Sequence, residues 1–340
     1  MTIEKTLLVT DKVKATDYCK HGDINKYLSL KLGDSFTQYR NNWKLATTMK
    51  KEFNFPLFLV IESMFKCNLK CIMCLHSELS KSKYSYDERL PVNQFKKIMK
   101  EVSEHSCPSI TFGGTSEPIL DERLPEFINL AKESGIIDIM LNTNGTLLSK
   151  SVAKEIIISG LTRLRLGFDG INPKTYENIR KGANFDNVKN NIINFINFRN
   201  SIQQDIPVVR ISCVRLKENE NEINDFIQYW KKIVDYVSIQ RYKPHEFTAK
   251  RMWNKMGSGE KKLENIKCSQ PFERLYIRGN GDTYGCCSIV YGPKVGNVFK
   301  DRIYDIWNSE KMKHLRKSIR HDKLNNFPNC IKCMHYSYGQ

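Results

Sequence analysis

No stretch of this chain approaches the ~18 consecutive apolar residues that a membrane-spanning helix needs. The N-terminal segment MTIEKTLLVTDKVKATDYCK has a short apolar patch, but neither a signal-peptide core nor a small-residue cleavage site. These two absences predict a cytoplasmic protein with no membrane partner. No internal repeat and no low-complexity tract is present, which excludes a repeat architecture. Acidic residues are too few to balance the basic ones: 54 Lys and Arg against 37 Asp and Glu leave a formal charge of +17. Such an excess suits phosphate, nucleic acid or an acidic peptide. The basic residues are spread out, however, and the densest run, KMKHLRKSIRHDK from Lys311, reads as a solvated helix face. Nucleic acid is therefore not an expected partner.

What is present is cysteine. A cytoplasmic chain keeps its thiols reduced, so its eleven cysteines are not expected to form disulfides. Seven fall in clusters: Cys67, Cys71 and Cys74; Cys286 and Cys287; Cys330 and Cys333. Clustering of this kind points to metal or iron–sulfur ligation. The first cluster, in FKCNLKCIMCLHSEL, has the pattern C-x3-C-x2-C. A structural zinc site wants four ligands and a disulfide two. A cubane cluster held by three thiolates keeps one iron open for a substrate. Cys19, Cys107 and Cys213 stand alone and read as small buried hydrophobes.

With 340 residues and 40% hydrophobic content, the chain suffices for one large domain and a small one. From residue 57, short apolar runs alternate with amphipathic stretches. Strands are expected at 57–63, 109–112, 136–141, 163–168, 208–214 and 236–240, with helices between them. Phe95, Ile98, Met99 and Val102 show the helical spacing, as do Phe185, Val188, Ile192, Phe195 and Ile196. Alternating strands and helices predict an α/β fold with a parallel sheet. Six units are too few to close an eight-stranded barrel, so an open (β/α)6 partial barrel is expected, with its chemistry at the C-terminal ends of the strands. The three-cysteine loop follows the first strand and falls on that face. After residue 250 the pattern changes to a glycine-punctuated hairpin, RLYIRGNGDTYGCC, one further helix and a Cys-rich tail. The expected division is an N-terminal extension (1–55), a core (56–250) and a small C-terminal domain (251–340).

At this point the sequence resembles the radical SAM superfamily, whose signature is C-x3-C-x2-C after the first strand. The resemblance implies a [4Fe–4S] cluster on Cys67, Cys71 and Cys74, with S-adenosylmethionine on the open iron. Its one-electron cleavage would yield a 5′-deoxyadenosyl radical that abstracts a substrate hydrogen. The electron would come from a flavodoxin- or ferredoxin-like protein. TFGGTSEP is similar to the family's Gly-Gly-Glu-Pro element with two extra residues, Thr115 and Ser116. LNTNG and GFDG follow at the next strand ends, and Gly167 stands where relatives often carry serine. By resemblance, Gly113, Gly114, Glu117, Asn142, Asn144, Asp169 and Arg180 are the candidate cofactor-binding residues.

Cys268, Gly281 and Cys286 fit C-x12-G-x4-C, and Cys330 and Cys333 supply C-x2-C. Two remote pairs also suit a zinc ribbon, which stays open as an alternative. The pattern resembles the auxiliary-cluster domain called SPASM, or its short form, Twitch. That resemblance implies a second, fully ligated [4Fe–4S] cluster on Cys268, Cys286, Cys330 and Cys333. The expected function is oxidation or epimerisation of a sugar-like or cyclitol substrate, as in the butirosin-pathway dehydrogenase class. Modification of a ribosomal peptide or protein is the alternative, and a non-catalytic metal-binding or electron-transfer protein a distant third. For an epimerase, Cys213 near the end of strand five is the candidate hydrogen donor.

Overall fold

The structure is a computed structural model that describes residues 17–79, 88–242, 256–257, 267–287 and 292–334. Residues 1–16 of the expected extension, the expected junction at 250/251 and the residues after 334 lie outside the described ones.

All six expected strands form. They are β2 (Phe58–Ile61), β3 (Ser109–Phe112), β4 (Asp138–Thr143), β5 (Arg163–Gly167), β6 (Val208–Arg215) and β7 (Tyr236–Arg241). Each pairs in parallel with the next. Their crossover helices include α4 (Val92–His105), α5 (Leu124–Glu133), α6 (Lys150–Ile158), α8 (Phe185–Ser201) and α9 (Ile223–Trp230). Ser149 caps α6 by accepting from the Val152 amide.

Alternation along each strand divides the sheet into two faces. One carries Leu59, Ile61, Ile110, Phe112, Leu164, Leu166, Val209, Ile211, Val237 and Ile239 and packs with the crossover helices into the main core. On the other, Phe58, Val60, Met140, Tyr276 and Tyr284 meet in a separate cluster. Contact between side chains of non-adjacent strands marks this second face as concave.

The N-terminal segment is part of the body. A two-residue strand, β1 (Tyr18–Cys19), pairs antiparallel with β7. Helices α1 (Ile24–Leu32) and α2 (Asp34–Thr47) follow. Ile24, Leu28, Phe36 and Tyr39 from these helices pack on Leu57 and Val208, where β2 and β6 begin. The pair therefore covers the N-terminal ends of the strands, opposite the cysteine loop.

The C-terminal segment continues the same sheet. β8 (Arg274–Ile277) pairs in parallel with β2, and β9 (Asp282–Tyr284) and β10 (Lys294–Asn297) extend the row antiparallel. The full order is β1-β7-β6-β5-β4-β3-β2-β8-β9-β10. The single late helix read from the sequence is two, α11 (Ile303–Trp307) and α12 (Glu310–Arg320). The break falls at Ser309, whose hydroxyl accepts from the Met312 amide and starts a new helix. Trp307 is fully buried and donates to the Phe53 carbonyl at 2.7 Å. On α12 most basic residues are exposed, but Arg316 is buried over the Trp307 ring.

Candidate active site

β2 ends at Ile61 and the chain then turns through Cys67, Cys71 and Cys74 into a short helix, α3 (Leu75–Leu79). The loop is pinned by backbone pairing to a distant segment. The Lys70 amide donates to the Lys181 carbonyl at 2.9 Å and the Ile72 amide to the Ile179 carbonyl at 3.0 Å. Those two acceptors flank Arg180, so its side chain is delivered beside the cysteines. The Ser77 hydroxyl closes the turn on the Cys71 carbonyl at 3.0 Å.

The thiols are sheltered. Burial pushes Cys67 up to about 11 and Cys71 up to about 12, and raises Cys74 as well; the neighbouring cysteines add to the shifts of Cys67 and Cys71, and Glu62 to that of Cys74. Backbone amides offset part of this: Leu69 donates toward Cys67, and His76 and Ser77 toward Cys74. The Arg180 charge acts in the same direction on Cys71 and Cys74. All three cysteines are free thiols. Among the described residues, no three His, Cys, Asp or Glu side chains converge as ligands of one ion do. A cluster makes no such demand, because each thiolate takes a different iron. Three sheltered thiols with amide donors and a cation beside them fit that group.

The remaining candidates form a shell at the strand ends, largely tied to one another. Glu117 is buried, and burial raises its carboxyl pKa. It accepts from the Thr143 hydroxyl and the Asn144 amide, both at 2.7 Å, and so joins the loops after β3 and β4. Asn144 donates to Asn68 Oδ1 at 2.9 Å and lies 3.9 Å from the Cys67 sulfur. Asn142 donates to the Gly113 carbonyl at 2.8 Å. Asp169 is fully buried, accepting from the Val214 amide and from Arg180 Nε, both at 2.7 Å. That ion pair, with Tyr176 and Cys71, holds Arg180 charged against the burial that opposes it. Gly167 leaves the room: a β-carbon there would overlap Arg180 Nη2.

Three residues unforeseen from the sequence hold this shell. Glu62, completely buried just past β2, accepts from the amides of Thr115 at 3.0 Å and Ser116 at 2.6 Å. The Ser116 and Tyr276 hydroxyls also donate to it. The two extra residues of TFGGTSEP thus wrap a carboxylate. Gly114 is required because a side chain there would run into the Tyr276 ring. Asn219 caps the other side, donating to the Asp169 and Val214 carbonyls at 3.0 and 2.9 Å. The sequence signals were a lone glutamate ending an apolar strand and an aromatic in the late hairpin.

Cys213 is not brought to this site. It shares the helix-covered face with Val209 and Ile211, is buried in the main core and takes 3.4 Å contact from Asn219 Nδ2. Its thiol pKa is raised strongly by burial. The expectation of a hydrogen donor on the active face is corrected: Arg210, Ser212 and Val214 have the parity that faces inward.

The C-terminal cysteines gather around α10 (Gln270–Glu273) and α13 (Pro328–Met334). Cys330 and Cys333 lie three residues apart on α13, one face of a helix. Cys268 is close enough to Cys287 and Cys333 for their charges to act on its thiol. Burial pushes Cys330 up to about 11, with Cys333 adding to it. Gln270 clasps the neighbouring turn, accepting from the Cys287 amide at 2.6 Å and donating to its sulfur at 3.2 Å. Cys287 therefore joins the group alongside Cys286, which the spacing singles out.

Fold and site together define a class: a parallel α/β sheet with a three-thiolate cluster loop on its C-terminal edge and a second cysteine group on a hairpin extension. Residues 61–229 match the radical SAM superfamily and residues 268–334 an iron–sulfur cluster-binding domain, SPASM. The chain is a radical SAM protein with a C-terminal SPASM domain, and its cofactors are S-adenosylmethionine and [4Fe–4S] clusters. A probable GTP 3′,8-cyclase of Methanococcus maripaludis (strain C5) is 30% identical over 181 residues, 53% of this chain and 57% of that protein. The match thus spans little more than half the length of such curated relatives. Streptococcus suis SuiB bound to S-adenosylmethionine superposes with a TM-score of 0.60 at 19% identity, covering 83% of this chain and 72% of that one. BtrN in complex with AdoMet and 2-DOIA superposes at 0.52 and 17% identity, covering 82% and 92%. At these identities the likeness is one of fold.

Proposed function

We propose that this chain is an enzyme that removes a hydrogen atom from a sugar-like or cyclitol substrate, leading to its oxidation or epimerisation. The observation that carries the reading is the polar lining of the concave face on β4 to β7. Asn142, Arg165, Arg210, Ser212 and Ser238 have inward parity there, a lining suited to a small molecule rich in hydroxyl groups. The extent of BtrN covered, 92%, is in keeping with a chain of that size and kind.

When bound, the cluster on Cys67, Cys71 and Cys74 supplies one-electron cleavage of S-adenosylmethionine. The chain's own residues supply position. Glu62 holds the Gly113–Ser116 loop through its amides, Arg180 sets a fixed positive charge beside Cys71, and Asp169 holds Arg180 in place. A net charge of +17 favours docking of an acidic flavodoxin- or ferredoxin-like reductant. Peptide modification is the second reading, favoured by the higher TM-score to SuiB, a protein also described bound to precursor peptide SuiA.

Reconstituted, reduced protein should convert S-adenosylmethionine to 5′-deoxyadenosine; failure to do so overturns the reading. With candidate polyols in deuterated water, a product two mass units lighter indicates oxidation. A product one unit heavier with inverted stereochemistry indicates epimerisation. Turnover of peptides alone would favour the second reading.

A further inference from the structure

One side chain joins two of the C-terminal cysteines. Gln270 stands just after Cys268 and reaches to Cys287, 17 residues away in sequence. Its Oε1 accepts from the Cys287 amide at 2.6 Å, and its Nε2 donates to the Cys287 sulfur at 3.2 Å. Its own backbone amide donates toward the Cys268 sulfur. A single residue thus brings N–H donors to two thiols of the group. At the other cysteine loop the comparable contact is looser: Asn144 Nδ2 lies 3.9 Å from the Cys67 sulfur and spends its bond on Asn68 at 2.9 Å.

Both anchors of the clasp are held. The Gln270 carbonyl accepts from the Arg274 amide, and the Pro271 carbonyl accepts from the buried Arg316 at 2.8 Å. Across the gap, Tyr284 of β9 pairs with Tyr276 of β8. Gly285 then lies so close to α12 that a β-carbon there would come within 3.0 Å of the Met312 sulfur. A bond between two fixed segments keeps the Cys287 sulfur in one place beside Cys268. Donors of this kind orient the ligands of a metal centre. Hydrogen bonds to ligand sulfurs and solvent exposure also set the reduction potential of an iron–sulfur cluster, because the N–H dipole stabilises the added negative charge. Cys287 is the exposed member of the five thiols.

We infer that Cys287, rather than the Cys286 selected by spacing, is the fourth thiolate of the C-terminal cluster, and that Gln270 is the positioning residue that seats it and raises the cluster's potential by N–H···S donation. The inference is independent of which substrate the enzyme takes. It bears on the direction of electron flow: a raised potential suits a cluster that accepts an electron, not one that must deliver it to S-adenosylmethionine.

Iron content and a potentiometric EPR titration of the reconstituted, full-length holoprotein test this. Cys287→Ala should lose about four irons and Cys286→Ala none. Gln270→Leu keeps the bulk and removes the donor. It should make reduction of the C-terminal cluster about tenfold less favourable, ~59 mV for a one-electron couple. The other cluster, titrated in the same sample, should keep its potential. Gln270→Asn restores a shorter carboxamide and should recover part of the shift. Should Gln270→Leu lose its iron, Gln270→Asn carries the comparison with wild type. A clasp with only a structural role would move the melting temperature and leave the potential alone. That result, or full iron in Cys287→Ala, overturns the inference.

Discussion

Arg180 occupies the space that a side chain at position 167 would need. A β-carbon on Gly167 would overlap its Nη2, while its Nε is fixed to the buried Asp169 at 2.7 Å. Where the resemblance led one to expect a serine, the space is filled by a cation reaching in from the segment after β5. Gly167→Ser should lower stability by ~1–3 kcal/mol through overpacking. Arg180→Ala should lower it more, by ~3–5 kcal/mol, because it strands a buried carboxylate. Thermal unfolding of both variants checks the order; a Gly167→Ser protein that melts like wild type would refute the close approach.

Changing Cys67, Cys71 and Cys74 together to alanine should abolish 5′-deoxyadenosine formation. Iron should fall from about eight to about four per chain, the remainder being one cubane on the C-terminal cysteines. A triple variant that still cleaves S-adenosylmethionine would show the loop to be misassigned.

The C-terminal group offers five thiols to a site needing four. Spacing selects Cys286, whereas Cys287 is the one clasped by Gln270 and close to Cys268. If Cys286 is the ligand, Cys286→Ala should lose about four irons and Cys287→Ala none. The reverse outcome would transfer the role to Cys287. About four irons plus one zinc in wild type would replace the second cluster with a zinc ribbon.

Trp307 joins the late helices to the main core and bonds to Phe53. Trp307→Ala should cost ~3–5 kcal/mol. The loss should appear as a single cooperative transition of the whole chain, since the SPASM segment shares the barrel's sheet. Two separate melts by calorimetry would contradict that continuity.

The six parallel strands were legible because their apolar runs are short, local and punctuated. The partnership of β2 with β8 was not, because parallel pairing between remote segments leaves no mark in either one. Cys213 was misjudged from topology alone, although its parity with Val209 and Ile211 already set it on the helical face. The same period-2 rule applied to RLRLG would have put Arg163 and Arg165 side by side on the inner face. Glu62 carried a quieter signal: an acid at the end of an apolar strand must find donors, and they came from a loop some fifty residues later. α1 and α2 left little mark in the sequence because only a stripe of each is apolar, and that stripe found its partner in strand starts far along the chain.

The parallel pairing of β2 with β8 also bears on how the chain comes to be folded. Phe58 through Ile61 find their second neighbour only in Arg274 through Ile277, more than two hundred residues later. During synthesis, β2 through β7 can emerge and associate while one side of β2 still shows bare amides and carbonyls. Until the last fifth of the chain leaves the ribosome, that border is an open template for strands of other molecules. Contacts this distant in sequence also form slowly. Overproduction that outpaces completion of β8 should therefore yield aggregates seeded at β2, and slower translation or lower temperature should recover soluble protein.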